Sequence, residues 1–426
     1  MMTRAPHIDS YYAATARPWQ SAPILTDHLY CDVCVVGGGI TGCSSALHLA
    51  ERGYDVVLLE ANRIGWGASG RSGAQVIGGF ARDIDYFARL VGAADARRLW
   101  NMSLEGVQLV KDLVARHAIG CDWRDGQMQV AIKPRQRDAL RAYQALLAER
   151  YDYPLEYLAG DALQAVLRSP RYSAGLYDPQ AGHLHPLNYT LGLADAARAA
   201  GVRIFEDTRV LSYRDAPPPE VTCAQGRVTA RQLVFAGNAY LDKLVPALDR
   251  KIMPVGTYIV ASSPLGAALA RQVIANDMAV TDTNFVLDYF RLSADHRLLF
   301  GGRVSYSKVP PTNLRSTMRK RMVRVFPQLH DIDIDYAWGG YVDISFNRSP
   351  HFGRLTRDIY FAQGFSGHGM ALTGLAGKLM AEAIAGTSER FDVFARIPHR
   401  NFPGGRYFRL PGLLLGTLYY RLRDLL

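Results

Sequence analysis

The run Gly37-Gly38-Gly39-Ile40-Thr41-Gly42 constrains this chain more than any other feature. It contains the spacing G-x-G-x-x-G, and its surroundings give it force. The apolar stretch 31–36 before it reads as a buried parallel strand, and 40–52 after it has helical spacing, ending near Gly53. A second buried strand at 56–60 ends on Glu60, 18 residues beyond Gly42. Together these make a β-α-β unit of about 30 residues. In such a unit Gly37 permits the tight turn, Gly39 lets a pyrophosphate approach, and Gly42 lets helix and strand pack closely. The helix N-terminus turns unpaired N–H groups and a partial positive charge toward a diphosphate. Glu60 is placed to accept hydrogen bonds from ribose hydroxyls, and it would repel a 2′-phosphate, which argues against NADP. The fingerprint by itself leaves NAD and FAD open.

Three later stretches favour FAD. The loop Gly65-Trp66-Gly67-Ala68-Ser69-Gly70-Arg71-Ser72-Gly73 is rich enough in small residues for backbone to lie against a flat or anionic ligand. Val234-Phe235-Ala236-Gly237-Asn238 ends a strand on small residues. Gly364-Phe365-Ser366-Gly367-His368-Gly369 precedes a long helix, whose N-terminus can stabilise negative charge on a reduced isoalloxazine or serve simply as a capped turn. Distant segments serving one elongated ligand suit FAD better than NAD. His368 either faces flavin and substrate or caps the helix.

The rest of the chain interleaves two kinds of segment. Residues 1–30 read as a polar, irregular arm. Nucleotide-type segments at 31–80, 187–240 and 350–390 alternate with sheet-rich ones at 90–185 and 245–345, and a tail follows at 391–426. The expected fold class is α/β (mixed with α+β): a Rossmann-like FAD-binding domain with an interleaved antiparallel-sheet substrate domain. No internal repeat is present.

Composition excludes several other classes. Hydrophobic residues make up 49% and charged residues 21%, which is the balance of a globular chain with an ample core. Net charge is +10, carried by 42 Arg and only 7 Lys, but no long basic run supports nucleic-acid binding, and 315–324 reads as a solvated helix face. Five cysteines are too few for a disulfide framework, and Cys31 and Cys34 lie inside a strand pattern as small core residues. No secretory signal and no stretch long enough to span a membrane is read, so the expectation is a cytoplasmic protein. The apolar tail 410–426 is expected to pack, with a peripheral membrane contact as the alternative.

The fingerprint, the Gly-Ala-Ser-Gly-Arg loop and the late Gly-x-x-Gly-His-Gly turn resemble the D-amino-acid-oxidase-like family of FAD-dependent amine oxidoreductases. Further motifs are similar to its branch acting on gamma-glutamylated amines. They are Ser10-Tyr11-Tyr12-Ala13-Ala14, Gly182-His183-Leu184-His185-Pro186, Leu287-Asp288-Tyr289-Phe290-Arg291, Phe352-Gly353-Arg354 and Phe402-Pro403-Gly404-Gly405. The likeness runs from arm to tail. It implies oxidation of the terminal amine of a gamma-glutamyl polyamine to an aldehyde, releasing ammonia and, with O2 as acceptor, H2O2. An amino-acid or N-methylamine oxidoreductase of the same family, or a flavin-binding protein without turnover, are the alternatives. The expected cofactor-binding set is Gly37, Gly39, Ile40, Thr41, Gly42, Glu60, Ala61, Arg63, Gly67, Ala68, Ser69, Gly70, Arg71, Val210, Ala236, Gly237, Gly364, Gly367, His368 and Gly369, with His368 also catalytic and no metal. Relatives tether flavin through a C-terminal cysteine or a His after the Gly-Ala-Ser-Gly loop. This chain has no Cys beyond Cys223 and carries Arg71 there, so non-covalent FAD is expected. The lysine that some relatives place near the flavin is absent from Leu298-Leu299-Phe300, which leaves the acceptor open. Asp288 and Tyr289 meet an amine or amide or are ordinary sheet positions. Arg348 or Arg354 pairs with a glutamyl carboxylate or lies on the surface, and a metal held by His183 and His185 is disfavoured.

Overall fold

A computed structural model describes residues 6–284, 286–305 and 312–403. The chain forms two sheets. In the first, five parallel strands run in the order Ile359–Gln363, Arg227–Phe235, His28–Val36, Val56–Leu59, Arg203–Phe205, with His351–Thr356 antiparallel at one edge. Strand alternation makes both faces apolar. Val33, Val35, Val56 and Leu58 point to one core, while Cys34, Val36, Val57 and Leu59 point to another. The first core is closed by the helices Ile40–Ala50, Pro186–Ala199 and Gly369–Ile384. Two of them cross at very short range: a Cβ on Gly377 would lie 2.6 Å from the Ser45 nitrogen, and Ser44 Oγ donates to the Gly374 carbonyl at 2.7 Å.

Among the described residues the second sheet has nine strands and is antiparallel except where Ala279–Asp282 pairs with Arg124–Ala131. Period-2 alternation divides its faces. Met128, Val130, Tyr258, Val280 and Phe290 pack beneath the helix Leu314–Val325, while Gln129, Thr257, Thr281 and Tyr289 face a large cavity. Leu314, Met318, Met322 and Val325 form the buried stripe of that helix. Its basic residues fall on the other faces, but the solvated face that was expected is partly engaged: Arg321 Nε donates to Asp288 at 2.9 Å, Arg319 Nε to the Ile332 carbonyl at 3.0 Å and Arg315 to the Ile334 carbonyl at 3.0 Å.

Three local readings differ from expectation. The helix Ala93–Arg116 is helical as the spacing at 95–117 predicts, but although it lies in the segment assigned to the sheet-rich unit it packs on the helices of the first sheet: Val107, Val110 and Leu113 share a core with Leu375 and Leu379. Its Gly106 sits against the Ala371 carbonyl, where a Cβ would be 3.1 Å away, so only a small residue fits. Gln75–Val76 leaves the first sheet's segment and pairs with Gly182 and His183 in the second. The arm is not loose. Ser10 Oγ caps the short helix Tyr11–Ala14, Tyr12 is fully buried, and Ala22 and Leu25 are core residues. Tyr12 sits edge-on to Trp338 and His185, and its hydroxyl accepts from Arg291 at 3.1 Å.

The tail beyond residue 403 lies outside the described residues, and with it Gly404 and Gly405 and the membrane-contact alternative. No helix among the described residues is long and apolar enough to cross a membrane.

Candidate active site

The carboxyl ends of the parallel strands open onto a cavity of about 2020 Å³, whose opposite wall is the second sheet. Two helix N-termini, those of Ile40–Ala50 and Gly369–Ile384, meet it. Gly39, the N-cap of the first, supplies no side-chain oxygen of its own, and Ser69 Oγ instead accepts from the Ile40 nitrogen at 3.0 Å. Gly37 has φ +115, and a Cβ there would press on the Ala236 carbonyl at 2.9 Å. A Cβ on Gly42 would come within 1.8 Å of the Gly37 carbonyl oxygen, so the helix packs onto the turn only because Gly42 has no side chain.

Of the expected set, Gly37, Gly39, Ile40, Thr41, Glu60, Ala61, Gly67, Ala68, Ser69, Val210, Ala236, Gly237, Gly367, His368 and Gly369 line the cavity together. Gly42, Arg63, Gly70, Arg71 and Gly364 do not reach its wall. Gly42 and Gly70 lie beneath the turns they allow, since a Cβ on Gly70 would meet the Gly65 carbonyl oxygen at 2.2 Å. The Arg63 guanidinium is drawn instead to Glu206 at 3.4 Å and Asp207 at 3.6 Å. Arg71 stacks 4.0 Å over the Trp66 ring and donates to the Trp66 carbonyl, buttressing the loop from behind. Gly364 turns the chain at φ +76. Arg354 lies away from the cavity, paired with Asp392 at 2.7 Å. Arg348 lines it. His183 and His185 form a separate buried cluster with Arg291, where His183 Nε2 contacts the Asp277 carbonyl at 2.6 Å.

Glu60 accepts from the Gly38 nitrogen at 2.7 Å and the Asn62 nitrogen at 2.8 Å. Burial pushes its carboxyl up, against those two bonds. Each oxygen keeps a further lone pair for a hydroxyl. His368 is the N-cap of Gly369–Ile384 but makes no capping bond. Burial, helped by Arg348, pushes its imidazole down to about 4, so it is neutral at physiological pH, and its enclosed Nδ1 has no hydrogen-bond partner among the described residues. Asn238 Oδ1, also on the wall, is likewise without one.

Sequence reasoning missed Glu206 and Asp343. Glu206 is fully buried and accepts from Ile64 N, Ala22 N and Trp19 Nε1, so it ties the arm to the segment after Glu60. Nothing in its local sequence marks it, because its donors lie 142 to 187 residues away.

These residues fit FAD. The side-chain-free cradle and the Ile40 helix N-terminus would hold the diphosphate, Glu60 the ribose, and the 67–73 loop with the 364–369 turn the flavin half, beside the orphaned Nδ1 and Oδ1 atoms. Bound there, FAD supplies a hydride acceptor. Among the described residues no cysteine lines the cavity.

A crevice at the carboxyl ends of a parallel sheet, floored by this glycine turn and roofed by an antiparallel sheet, defines a flavin-dependent oxidoreductase. The sequence profile of the FAD dependent oxidoreductase family matches residues 32–383, and the chain belongs to that family. It is 45% identical over 420 residues to gamma-glutamylputrescine oxidoreductase of Escherichia coli, spanning 98% of both chains. It is 42% identical to the probable oxidoreductase OrdL of Haemophilus influenzae, over 98% of this chain and 97% of that one. Glycine oxidase from Bacillus cereus shares the fold, with a TM-score of 0.70 at 21% identity over 87% of this chain and 99% of that one.

Proposed function

We propose that this oxidoreductase acts on gamma-glutamylputrescine or a close gamma-glutamylated amine. Its terminal CH2–NH2 loses a hydride to become an iminium, which water hydrolyses to an aldehyde and ammonia, with O2 as the final acceptor giving H2O2. The observation that carries this reading is the distribution of charge in the cavity. Gln129, Gln136, Thr281, Thr283 and Asn284 make an uncharged, hydrogen-bonding wall suited to an amide. The solvent-exposed Arg82 and Arg135 stand at the opening, where a glutamyl carboxylate would lie. Tyr289, Thr257 and neutral His368 are the uncharged groups of the inner end, which Arg348 and Asp343 line as well. The chain-long similarity to gamma-glutamylputrescine oxidoreductase supports the same reading.

Magnitudes limit what His368 does. An alkylammonium titrates near 10.4, so an imidazole held near 4 is weaker as a base by about six units, or about 8 kcal/mol. His368 therefore orients a neutral amine as a hydrogen-bond acceptor, and the ammonium proton leaves to solvent as the site desolvates it. Anaerobic stopped-flow reduction tests the substrate. One charged hydrogen bond at the carboxylate predicts roughly 10- to 100-fold faster flavin reduction per molar substrate for gamma-glutamylputrescine than for putrescine. Equal rates would reject the gamma-glutamyl assignment.

A further inference from the structure

Asp343 lies near the end of the strand Ile334–Ser345, opposite Pro254, and is 3% exposed. Its carboxylate accepts the backbone N–H of Gly364 and of Phe365 and a hydrogen bond from the Asn238 side chain. Its own carbonyl accepts from the Ser366 nitrogen at 3.0 Å. One residue of the second sheet thus fastens two turns of the first. Both turns carry left-handed backbone: Asn238 at φ +49, Gly364 at +76, Ser366 at +53 and Gly367 at +95. For Asn and Ser such conformations persist only where surrounding bonds hold them. Both turns line the cavity where the flavin half of the cofactor fits, and so does Asp343.

The charge on Asp343 has unusual company. The donors to it are neutral amides. The titratable groups on the elements around it are His368 and Arg348 on the neighbouring turn and loop, His351 packed against Gly364 and kept neutral by burial, Tyr240 beside Asn238, and Tyr341 on its own strand, while Met253 and Val255 flank it from the adjoining strand. His368 is neutral. Burial pushes the Asp343 carboxyl up to about 7.

We propose that Asp343 is a positioning residue for the flavin: its carboxylate locks the 237–240 and 364–369 turns together, and its charge, met by neutral hydrogen-bond donors, couples reduction of the cofactor to proton uptake. When two electrons enter the site and only one proton accompanies them, negative charge builds beside this carboxylate. The carboxylate then binds a proton from solvent more tightly, and by linkage the proton favours the reduced state.

Two variants separate the two roles. Asp343→Asn keeps an oxygen for the turn and removes the charge. It is expected to bind FAD more tightly than Asp343→Ala does, though less tightly than the native apoprotein because its amide NH2 meets one of the three donors, and to show a raised midpoint potential. Its potential should fall by only the ~30 mV per pH unit of a one-proton, two-electron couple, where the native slope near neutrality is steeper. Asp343→Ala removes the acceptor and is expected to weaken FAD binding at least tenfold in a titration of apoprotein. A native potential and native slope in Asp343→Asn, or native FAD affinity in Asp343→Ala, would overturn the proposal. Should either variant fail to fold, the native slope decides: ~30 mV per pH unit throughout, with no steeper region near neutrality, overturns it as well.

Discussion

At the scale of single residues, the site is organised by atoms that are missing. Gly42 shows this most sharply. Its contact is backbone, which has no side-chain torsion to relieve it, so Gly42→Ala must open the turn at Gly37. We expect at least a tenfold loss of FAD affinity, about 1.4 kcal/mol or more. Gly53→Ala is the control: its φ is +85 but nothing lies within 4 Å of a new Cβ. It should cost about 1–2 kcal/mol of stability and leave FAD affinity unchanged. Equal FAD affinity in the two variants would contradict the cradle. This part of the site was legible in the sequence because its logic is contained within about thirty residues. Glu206 and Asp343 were not, since each collects donors from segments far apart in the chain and neither sits in a motif.

At the scale of elements, the cluster beneath the arm makes a measurable claim about acid. His183 is buried against Arg291 and the Asp277 carbonyl, and burial with that guanidinium pushes its imidazole down to about 3. The folded chain therefore keeps His183 neutral where the unfolded chain, with a pKa near 6.5, takes up a proton. The unfolded state binds more protons below that value, so stability is full above about pH 6.5 and is lost as pH falls toward about 3. His183→Gln removes this contribution. Between pH 6.5 and 5 it should lose about 2 kcal/mol less stability than the native protein in denaturant titrations. Parallel pH profiles would refute it. Elements with strong local periodicity were readable, such as the helix Pro186–Ala199. The placement of Ala93–Arg116 was not, because an amphipathic helix announces that it has a buried face without naming its partner. The arm misled for a related reason: Tyr11, Tyr12 and Trp19 lie among polar residues, and apart from the contact of the two tyrosines with each other their ring partners are distant.

At the scale of the whole molecule, one cavity is walled by both sheets, so the cofactor and the fold share their contacts. Because no cysteine lines the cavity among the described residues, FAD should leave intact when the protein unfolds, with all yellow colour in the soluble fraction after acid precipitation. Colour retained by the precipitated polypeptide would contradict this. The α/β and antiparallel halves were foreseeable from strand patterns, whereas the N-terminal arm as a strap between them, held by Glu206 on one side and Arg291 on the other, was not. That strap has a consequence for how the chain is made. Tyr11 reaches Asp295, 284 residues on, and Tyr12 reaches Arg291, 279 residues on. At about 5–20 residues per second, a ribosome takes about 15–60 s to supply those partners. His185 and Glu206 offer Tyr12 and Trp19 partners some hundred residues sooner, so the arm is seated in stages, first on the helical side of the molecule and only later on the second sheet.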